Sequence, residues 1–517
     1  MKKSFFIFAL LAILLIPSQI PMLKNYHSLD GLIHTERIIQ FDKALKEQQF
    51  PVRLAPTIID SIGYPLFVVN YQLPYYFAEI IMFPSSNAPL AYKATMSITF
   101  ILSSIFIFLL FREISSLPSA LVGTVLFTYL PYRFGDLYQR GAFGESVSMM
   151  FVPLIIFAYH RIQKDGKYSI PLLALATFGL ITSHTIVFMI FAPLLILYIP
   201  FILKPNLQNL KSIAIGLSLG LTMSSFQILP SLFEKNYMKF DQTLSYLYKD
   251  FYLNIYQLLR IPHEGINYGT YYQVGIAATL VIFISMFTIF RKFDAKLFFF
   301  LGFAVLSIFL ATSGSSLLWT YLPFIKYILY PYRFLDLTIF AVAFLAVILI
   351  EKTSLKTLAA ILLISLTIYT NRHFFSIAPW FAIPPGPNLT TQNENDTIWS
   401  NPDTFVQRPL VSSEPQSNIY LSSQKSFDVK TQIITKEPTD VIIRKMYFPG
   451  WTLKVNGQNR PITIKDGLIS TNLEPGNWQI EAYFTKSKLR MFADLLTLAS
   501  FFFLFIIFIK PKLLLKI

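Results

Sequence analysis

No cysteine occurs in this 517-residue chain. That removes disulfides and thiolate metal sites from consideration but leaves the compartment open, because proteins on either side of a membrane do without the residue. Charge is also scarce: 14% of the residues are charged and 54% are hydrophobic. A soluble globule cannot cover that apolar surplus with a normal surface. A Gly-rich nucleotide loop is missing, which argues against an ATP-driven pump. His263-Glu264 runs on as Gly265-Ile266-Asn267 and so lacks the second histidine of a zinc-protease helix. Tryptophan is sparse, at 5 residues, whereas 51 Phe and 28 Tyr suit helices packed in a bilayer with aromatic rings near its interfaces.

What is present is a series of apolar runs: Ser4–Ile20, Pro89–Phe111, Pro118–Leu130, Val147–Tyr159, Ile170–Ile181, Thr185–Ile202, Ile213–Leu229, Tyr272–Phe290, Leu297–Ala311, Leu335–Ile350, Thr357–Tyr369 and Met491–Ile509. They predict a mainly α protein, a polytopic transmembrane bundle of about twelve helices, the shorter runs extending into their flanks or lying inside the bundle. Lys2 and Lys3 precede the first run. Pro17, Gln19 and Pro21 stand where a cleaved signal peptide needs small residues, so the first helix is read as retained.

The net charge of +15 would suggest nucleic acid in a soluble protein. Here the cations fall in short loops and are read as topology signals and attraction to anionic lipid, with no nucleic-acid partner. Arg161, Lys164 and Lys167; Lys204 and Lys211; Arg291, Lys292 and Lys296; Lys352 and Lys356; and Lys510, Lys512 and Lys516 mark one side of the membrane. Both termini are therefore expected in the cytoplasm of a cell-membrane protein. Residues 23–88, 131–146, the turn at His184, 231–271, 312–334 and 376–490 are expected outside.

Residues 376–490 change character, with the polar run Gln392–Asp396 and the turn residues Pro384, Pro385 and Gly386. Val441–Met446, Trp451–Val455, Pro461–Ile464, Leu468–Thr471 and Trp478–Tyr483 read as strands, and Asn456-Gly457, Asp466-Gly467 and Pro475-Gly476 as hairpin signals. The expected organisation is a helix bundle over 1–375 with a large first outward loop, an extracytoplasmic β-sandwich-like domain over 376–490, and a final helix with a cytoplasmic tail over 491–517. The β-domain can equally be a rigid lid or spacer with no chemistry of its own.

Chemistry is expected in the outward loops, where ionisable groups beside a membrane bundle are costly unless solvated or used. On a helix, Asp30, His34 and Arg37 fall at i, i+4 and i+7 on one face. Such a trio serves acid/base work and phosphate binding, or is merely a solvated polar stripe. Asp30 and His34 alone do not make a metal site. Arg133, Asp136, Arg140 and Glu145 crowd one short connection, either as a structural ion network or as a cradle for an anionic group such as phosphate. A similar string, PYRFLDL, recurs at Pro331–Leu337 with Arg333 and Asp336, and the echo is read as a shared helix-entry turn in preference to an internal duplication. His184 lies in a tight turn.

Taken together, Asp30-Gly31, His34, Arg37, Pro51-Val52-Arg53, Gly63-Tyr64-Pro65, Leu73-Pro74-Tyr75-Tyr76, Arg140-Gly141-Ala142 with Glu145, and Tyr330-Pro331-Tyr332-Arg333-Phe334 resemble the GT-C superfamily of membrane glycosyltransferases, particularly the YfhO-type proteins. They are also similar to the membrane-protein family labelled "6-pyruvoyl-tetrahydropterin synthase-related". Near the end, Tyr447-Phe448-Pro449-Gly450-Trp451, Val455-Asn456-Gly457 and Pro475-Gly476 are similar to the extracytoplasmic domain of the YfhO-type proteins.

The resemblance implies an inverting glycosyltransferase, a hexosyltransferase that takes sugar from a polyprenyl-phosphate-linked donor and passes it to a glycan, lipid or polymer hydroxyl on the outer face. It also implies Asp30 as the residue that acts as base or positions the acceptor, with Glu145 as second carboxylate. His34, Arg37, Arg53, Arg133, Asp136, Arg140, His184 and Arg333 are then candidates for holding substrate and its phosphate. Gly31 departs from the paired acidic motif of better understood members, which leaves the help of a divalent metal open; no nucleotide or flavin site is evident. The pterin-synthase label is not read as chemistry, since His27, His34, His160, His184, His263 and His373 are too scattered for a three-histidine zinc site. A transporter of a lipid-linked glycan or envelope polymer, and a scaffold that presents the β-domain, stand as the non-enzymatic alternatives.

Overall fold

The computed structural model describes residues 2–23, 28–244, 246–259, 272–322, 324–373 and 393–510. His27, the His263-Glu264 pair, Pro384, Pro385, Gly386, Gln392, Lys512 and Lys516 lie outside them, as does 376–392 at the start of the expected β-domain.

All twelve apolar runs recur as helices. Among the described residues, six are long and apolar enough to cross a membrane, and Leu207–Met223 with Ser225–Tyr237 is a helix pair of that length bent by 65° at its break, a broken span or a re-entrant loop. Five shorter apolar helices, from Leu117–Tyr129 to Lys356–Thr370, complete the set. Length alone does not decide which element sits deepest. Leu117–Tyr129 and Leu335–Lys352 are mostly apolar and almost wholly buried, which places them inside the bundle.

Two segments expected as surface loops are interior. The first region after the initial span folds into the helix Gly31–Lys46 and the helix Leu73–Ser85, and Phe41, Val52, Phe67 and Tyr75 form a core with Tyr92 and Met96. The helix Gly31–Lys46 is thus a packed element and not a solvated stripe. Pro131–Ser146, expected as an outward connection, turns through a helical Pro131–Phe134 and a π-helical Gly135–Arg140, with every residue buried. Several of its buried charged groups pair with one another: Arg140 meets Asp136 at 3.3 Å and Glu145 at 2.9 Å.

Nine strands follow among the described residues: β1 Val411–Glu414, β2 Asn418–Gln424, β3 Asp428–Thr435, β4 Thr439–Met446, β5 Trp451–Val455, β6 Gln458–Arg460, β7 Thr463–Lys465, β8 Leu468–Leu473 and β9 Gly476–Phe484. They form a four-stranded antiparallel sheet ordered β1-β4-β8-β7 and a five-stranded one ordered β2-β3-β9-β5-β6. Val441, Ile443 and Ile469 of the first share a core with Val429, Ile433, Leu453 and Ile480 of the second, so the two sheets make a sandwich. Asn456-Gly457 and Asp466-Gly467 are two-residue hairpin turns with positive φ at both positions. Pro475-Gly476 is not a hairpin, because β8 and β9 belong to different sheets.

The sandwich is seated on the first-loop region. Ile442, Met446 and Leu468, on the back of the four-stranded sheet, join the core that contains Phe41 and Tyr75. Met446 N donates to Ile62 O at 2.8 Å, and the buried Lys445 Nζ donates to Ser61 O at 2.7 Å. The final helix, Lys488–Ile509, is tied in by Arg490, which meets Glu234 at 2.9 Å and Pro449 O at 3.0 Å.

Candidate functional site

A cavity of about 520 Å³ opens where these parts converge. Its charged lining is Asp30, Arg37, Lys235, Arg140, Glu145, Arg333 and Glu394, four cations against three carboxylates. Ile186, Met189, Leu232, Leu244, Phe324 and Leu329 form its apolar wall. A mostly apolar pocket with a few convergent polar groups is what a site for a small molecule or a lipid headgroup looks like.

Asp30 stands just before the helix Gly31–Lys46, at its N-cap position, and makes no cap bond with its side chain. Two backbone bonds hold it there: Leu29 N donates to Gln139 O at 2.9 Å and Asp30 N to Arg140 O at 2.8 Å. The first-loop region and the π-helical segment are thereby fixed in register, and the Asp30 carboxylate lies 3.6 Å from Arg140 Nε. Burial pushes the Asp30 carboxyl above its ordinary value, against the pull of Arg140 and Arg37. One and two turns further on, His34 and Arg37 line the same cavity, as the i, i+4, i+7 spacing predicts. The His34 Nδ1 lies 3.0 Å from the Tyr75 hydroxyl. Burial, then the fields of Arg37 and Arg140, hold the imidazole well below its ordinary pKa, so it is neutral at physiological pH.

Arg140 is the hub. It meets Glu145 at 2.9 Å, Asp136 at 3.3 Å and Asp30 at 3.6 Å, beneath the rings of Tyr330 and Tyr332 at 5.4 and 5.6 Å. Gly141 makes this possible: at φ +74 it takes the left-handed turn after the π-helix, and an added Cβ would lie 2.1 Å from Ser28 Oγ. Glu145 is fully buried and engaged. Arg140, Arg333 at 3.0 Å and the Tyr132 hydroxyl at 3.0 Å all donate to it. Its arrangement is that of a group that fixes two arginines, which separates it from the more open Asp30. His184 caps the helix Thr185–Tyr198, its Nδ1 accepting from Val187 N at 3.3 Å, so the proton of the neutral ring sits on Nε2.

Three expected site residues do not line the cavity. Arg53 donates to Phe226 O at 2.8 Å and lies 3.6 Å from Asp494 of the last helix. Arg133 donates to Ser103 Oγ at 2.8 Å and lies over the rings of Phe100 and Phe127. Asp136 is behind Arg140, where it accepts from Ser146 Oγ at 3.3 Å. These are contacts within the fold. Pro131–Phe134 and Pro331–Phe334 are both helix-initiating turns, which accounts for the repeated string, yet only Arg333 of the two arginines faces the cavity.

Sequence reasoning missed Asn70, Tyr71, Lys235, Tyr327 and Glu394. Lys235 Nζ donates to the Tyr327 hydroxyl at 2.8 Å. Of this group only Glu394 left a mark in the sequence, within a polar run read as a domain boundary. Among the described residues no group of three His, Cys, Asp or Glu side chains is arranged to hold a metal ion.

A polytopic helix bundle with a β-sandwich domain and a charged, partly apolar cavity in its helical part defines a multi-pass membrane protein. Residues 69–379 match the family described as "6-pyruvoyl-tetrahydropterin synthase related domain; membrane protein", and the chain belongs to that family. It is also 25% identical over 245 residues to a protein of Lactococcus lactis subsp. cremoris (strain MG1363) described as "Uncharacterized protein". That match covers 45% of this chain and 40% of the relative. The matched family region includes Arg140, Glu145, His184, Lys235 and Arg333.

Proposed function

We propose that this protein is a glycosyltransferase of the cell membrane that moves a sugar from a polyprenyl-phosphate-linked donor to a hydroxyl of a glycan, lipid or polymer. The observation that carries the reading is the cavity itself, in which Asp30 sits beside Arg140 and Arg37, with Arg333 and Lys235 next to an apolar wall.

In this reading the apolar wall takes the first isoprene units and the guanidinium groups take the phosphate. The acceptor oxygen attacks the anomeric carbon as the bond from that carbon to the phosphate oxygen breaks. The bonding electrons leave with the polyprenyl phosphate, where Arg37, Arg333 and Arg140 offset the new charge. The acceptor proton passes to Asp30, which burial has made a stronger base than a solvated carboxylate. Inversion at the anomeric carbon follows from attack opposite the leaving phosphate. Glu145 holds Arg140 and Arg333 in place, and neutral His34 and His184 offer hydrogen bonds without adding charge. The distribution of loop cations supports cytoplasmic termini and a site and β-sandwich on the outer face.

The test is transfer of radiolabelled sugar from polyprenyl-phosphate donors in membranes containing the wild type, Asp30→Asn or Arg140→Ala, with protein amounts matched. Wild-type transfer that both substitutions abolish is the expected result. Full activity in Asp30→Asn would remove the proposed base, and no wild-type transfer across a broad panel of donors and acceptors would overturn the reading.

A further inference from the structure

The cavity has an apolar rim. Leu232 and Phe324 line it, yet each leaves more than half of its surface open, 58% and 59%. A side chain that borders a cavity and stays that exposed stands at its mouth. Phe233 and Tyr321, close to them in the chain, are exposed as well, so the apolar surface continues outward from the rim. The cations are graded in the opposite sense: Lys235 is partly exposed, whereas Arg140 and Arg333 are buried.

Lys235 also holds the rim together. Its Nζ donates to the Tyr327 hydroxyl at 2.8 Å and sits 4.0 Å from the centre of that ring. The contact ties the end of the bent helix pair to Ile325–Ile328, the two chain stretches that Leu232 and Phe324 border. Other lining residues set the depth of this part of the cavity. Ile186 and Met189 come from the first two turns of Thr185–Leu203, a helix long and apolar enough to cross a membrane. A mouth with such walls is matched to lipid chains. Facing water, the same run of exposed leucine and aromatic side chains would be a liability.

We propose that the rim at Leu232 and Phe324 is a side entrance from the bilayer, in which the prenyl chain of the polyprenyl phosphate lies while its phosphate reaches inward to the cations. This rests on the lipid-phosphate ligand of the glycosyl-transfer reading and adds the route by which that ligand arrives. Both ends of the amphiphile are matched: the apolar rim and wall take the chain, and Lys235, then Arg140 and Arg333, meet the charge. The chain keeps apolar surroundings throughout, so the lipid binds without being withdrawn into water.

The test uses the full-length protein in phospholipid nanodiscs, with the photocrosslinker p-benzoylphenylalanine placed in turn at Leu232, Phe324 and, as a control, Phe287. Phe287 is exposed on the helix Ile276–Arg291, away from the cavity lining. Adducts with added polyprenyl phosphate are expected at Leu232 and Phe324 above the background at Phe287, and to be lost when excess unlabelled lipid competes. Phe324→Lys separates the chain from the phosphate, because it puts a cation where the chain should lie. It is expected to weaken polyprenyl phosphate about tenfold while inorganic phosphate binds at least within about twofold of wild type. Adducts at Phe287 as strong as at the rim, or a Phe324→Lys variant in which both probes bind as in wild type or weaken equally, would overturn the entrance and leave the glycosyl-transfer reading standing. A wild type that binds no polyprenyl phosphate would bring down both.

Discussion

Glu145 and Arg333 are 188 residues apart in the chain and 3.0 Å apart in the fold. The same carboxylate takes Arg140 at 2.9 Å, so one fully buried acid joins the π-helical segment to the start of the helix Leu335–Lys352. Removing Glu145 takes from Arg333 the carboxylate it pairs with and leaves Arg140 with Asp136 and Asp30 alone, and breaking a buried set in this way costs more than the pair itself contributes. Glu145→Gln should therefore lower stability by about 3–5 kcal/mol, read as a large fall in melting temperature in detergent. Glu145→Gln with Arg333→Met should recover part of that fall. A single variant that melts like wild type would mean that the carboxylate does not hold the site together.

Asp30 should behave in the opposite way. It is a half-buried carboxyl, and desolvation disfavours its ionised form. The native state keeps its proton to a higher pH than the unfolded chain, so this group's contribution to stability declines as pH rises from the ordinary 3.8 through the raised native value. Asp30→Asn is thus expected to melt at or above the wild-type temperature near neutral pH while losing transfer. Only the ionised group can take a proton, so wild-type transfer should fall on acidification, with its midpoint above the usual carboxylate range. An acid limb at the ordinary value, or a destabilised Asp30→Asn, would contradict this assignment.

The parts of this fold legible in the sequence are those with a local cause. Apolar runs become helices because lipid and a dry bundle both require internally bonded backbone. Asn456-Gly457 and Asp466-Gly467 become hairpins because their positive φ suits those residues. Asp30, His34 and Arg37 reach one cavity because helical periodicity puts them on one face. What could not be read depends on distant partners. Arg53 looks like a ligand-binding arginine until Asp494, far along the chain, is found beside it. Arg133 and Arg333 share one local string, and only the packing around each decides that the first lies over Phe100 and Phe127 while the second faces the cavity. Lys235 and Glu394 carry no periodic signal, because the first follows the break in a bent helix pair and the second lies in an irregular stretch of turns.

Gly141 ties local geometry to the site. Its φ of +74 is open to glycine, and a Cβ there would lie 2.1 Å from Ser28 Oγ and 2.5 Å from the Tyr92 hydroxyl, two groups that bond each other at 3.0 Å. Gly141→Ala should add backbone strain of about 1–3 kcal/mol and push Arg140 away from Asp30. Transfer should then fall more steeply than stability: roughly tenfold or more in rate, with a melting temperature lowered by a few degrees. Unchanged transfer would show that the contact between Arg140 and Asp30 is not needed in its present geometry.

His34 gives a pH signature that needs no knowledge of substrate. Its imidazole is buried among Tyr75, Tyr92 and Phe143 and faces the cations Arg37 and Arg140, so the fold holds it neutral. In the unfolded chain the same ring takes a proton near its ordinary value of 6.5. Below that pH the unfolded state binds the extra proton and stability falls, by about 1.4 kcal/mol per pH unit until the native ring also titrates. His34→Gln keeps a polar side chain beside Tyr75 and removes the titration. The wild type should therefore lose melting temperature between about pH 6.5 and about pH 5.5, and the variant should lose distinctly less. Equal losses in the two proteins would mean that His34 is protonated in the fold as readily as in the open chain, and that it brings a positive charge to the cavity.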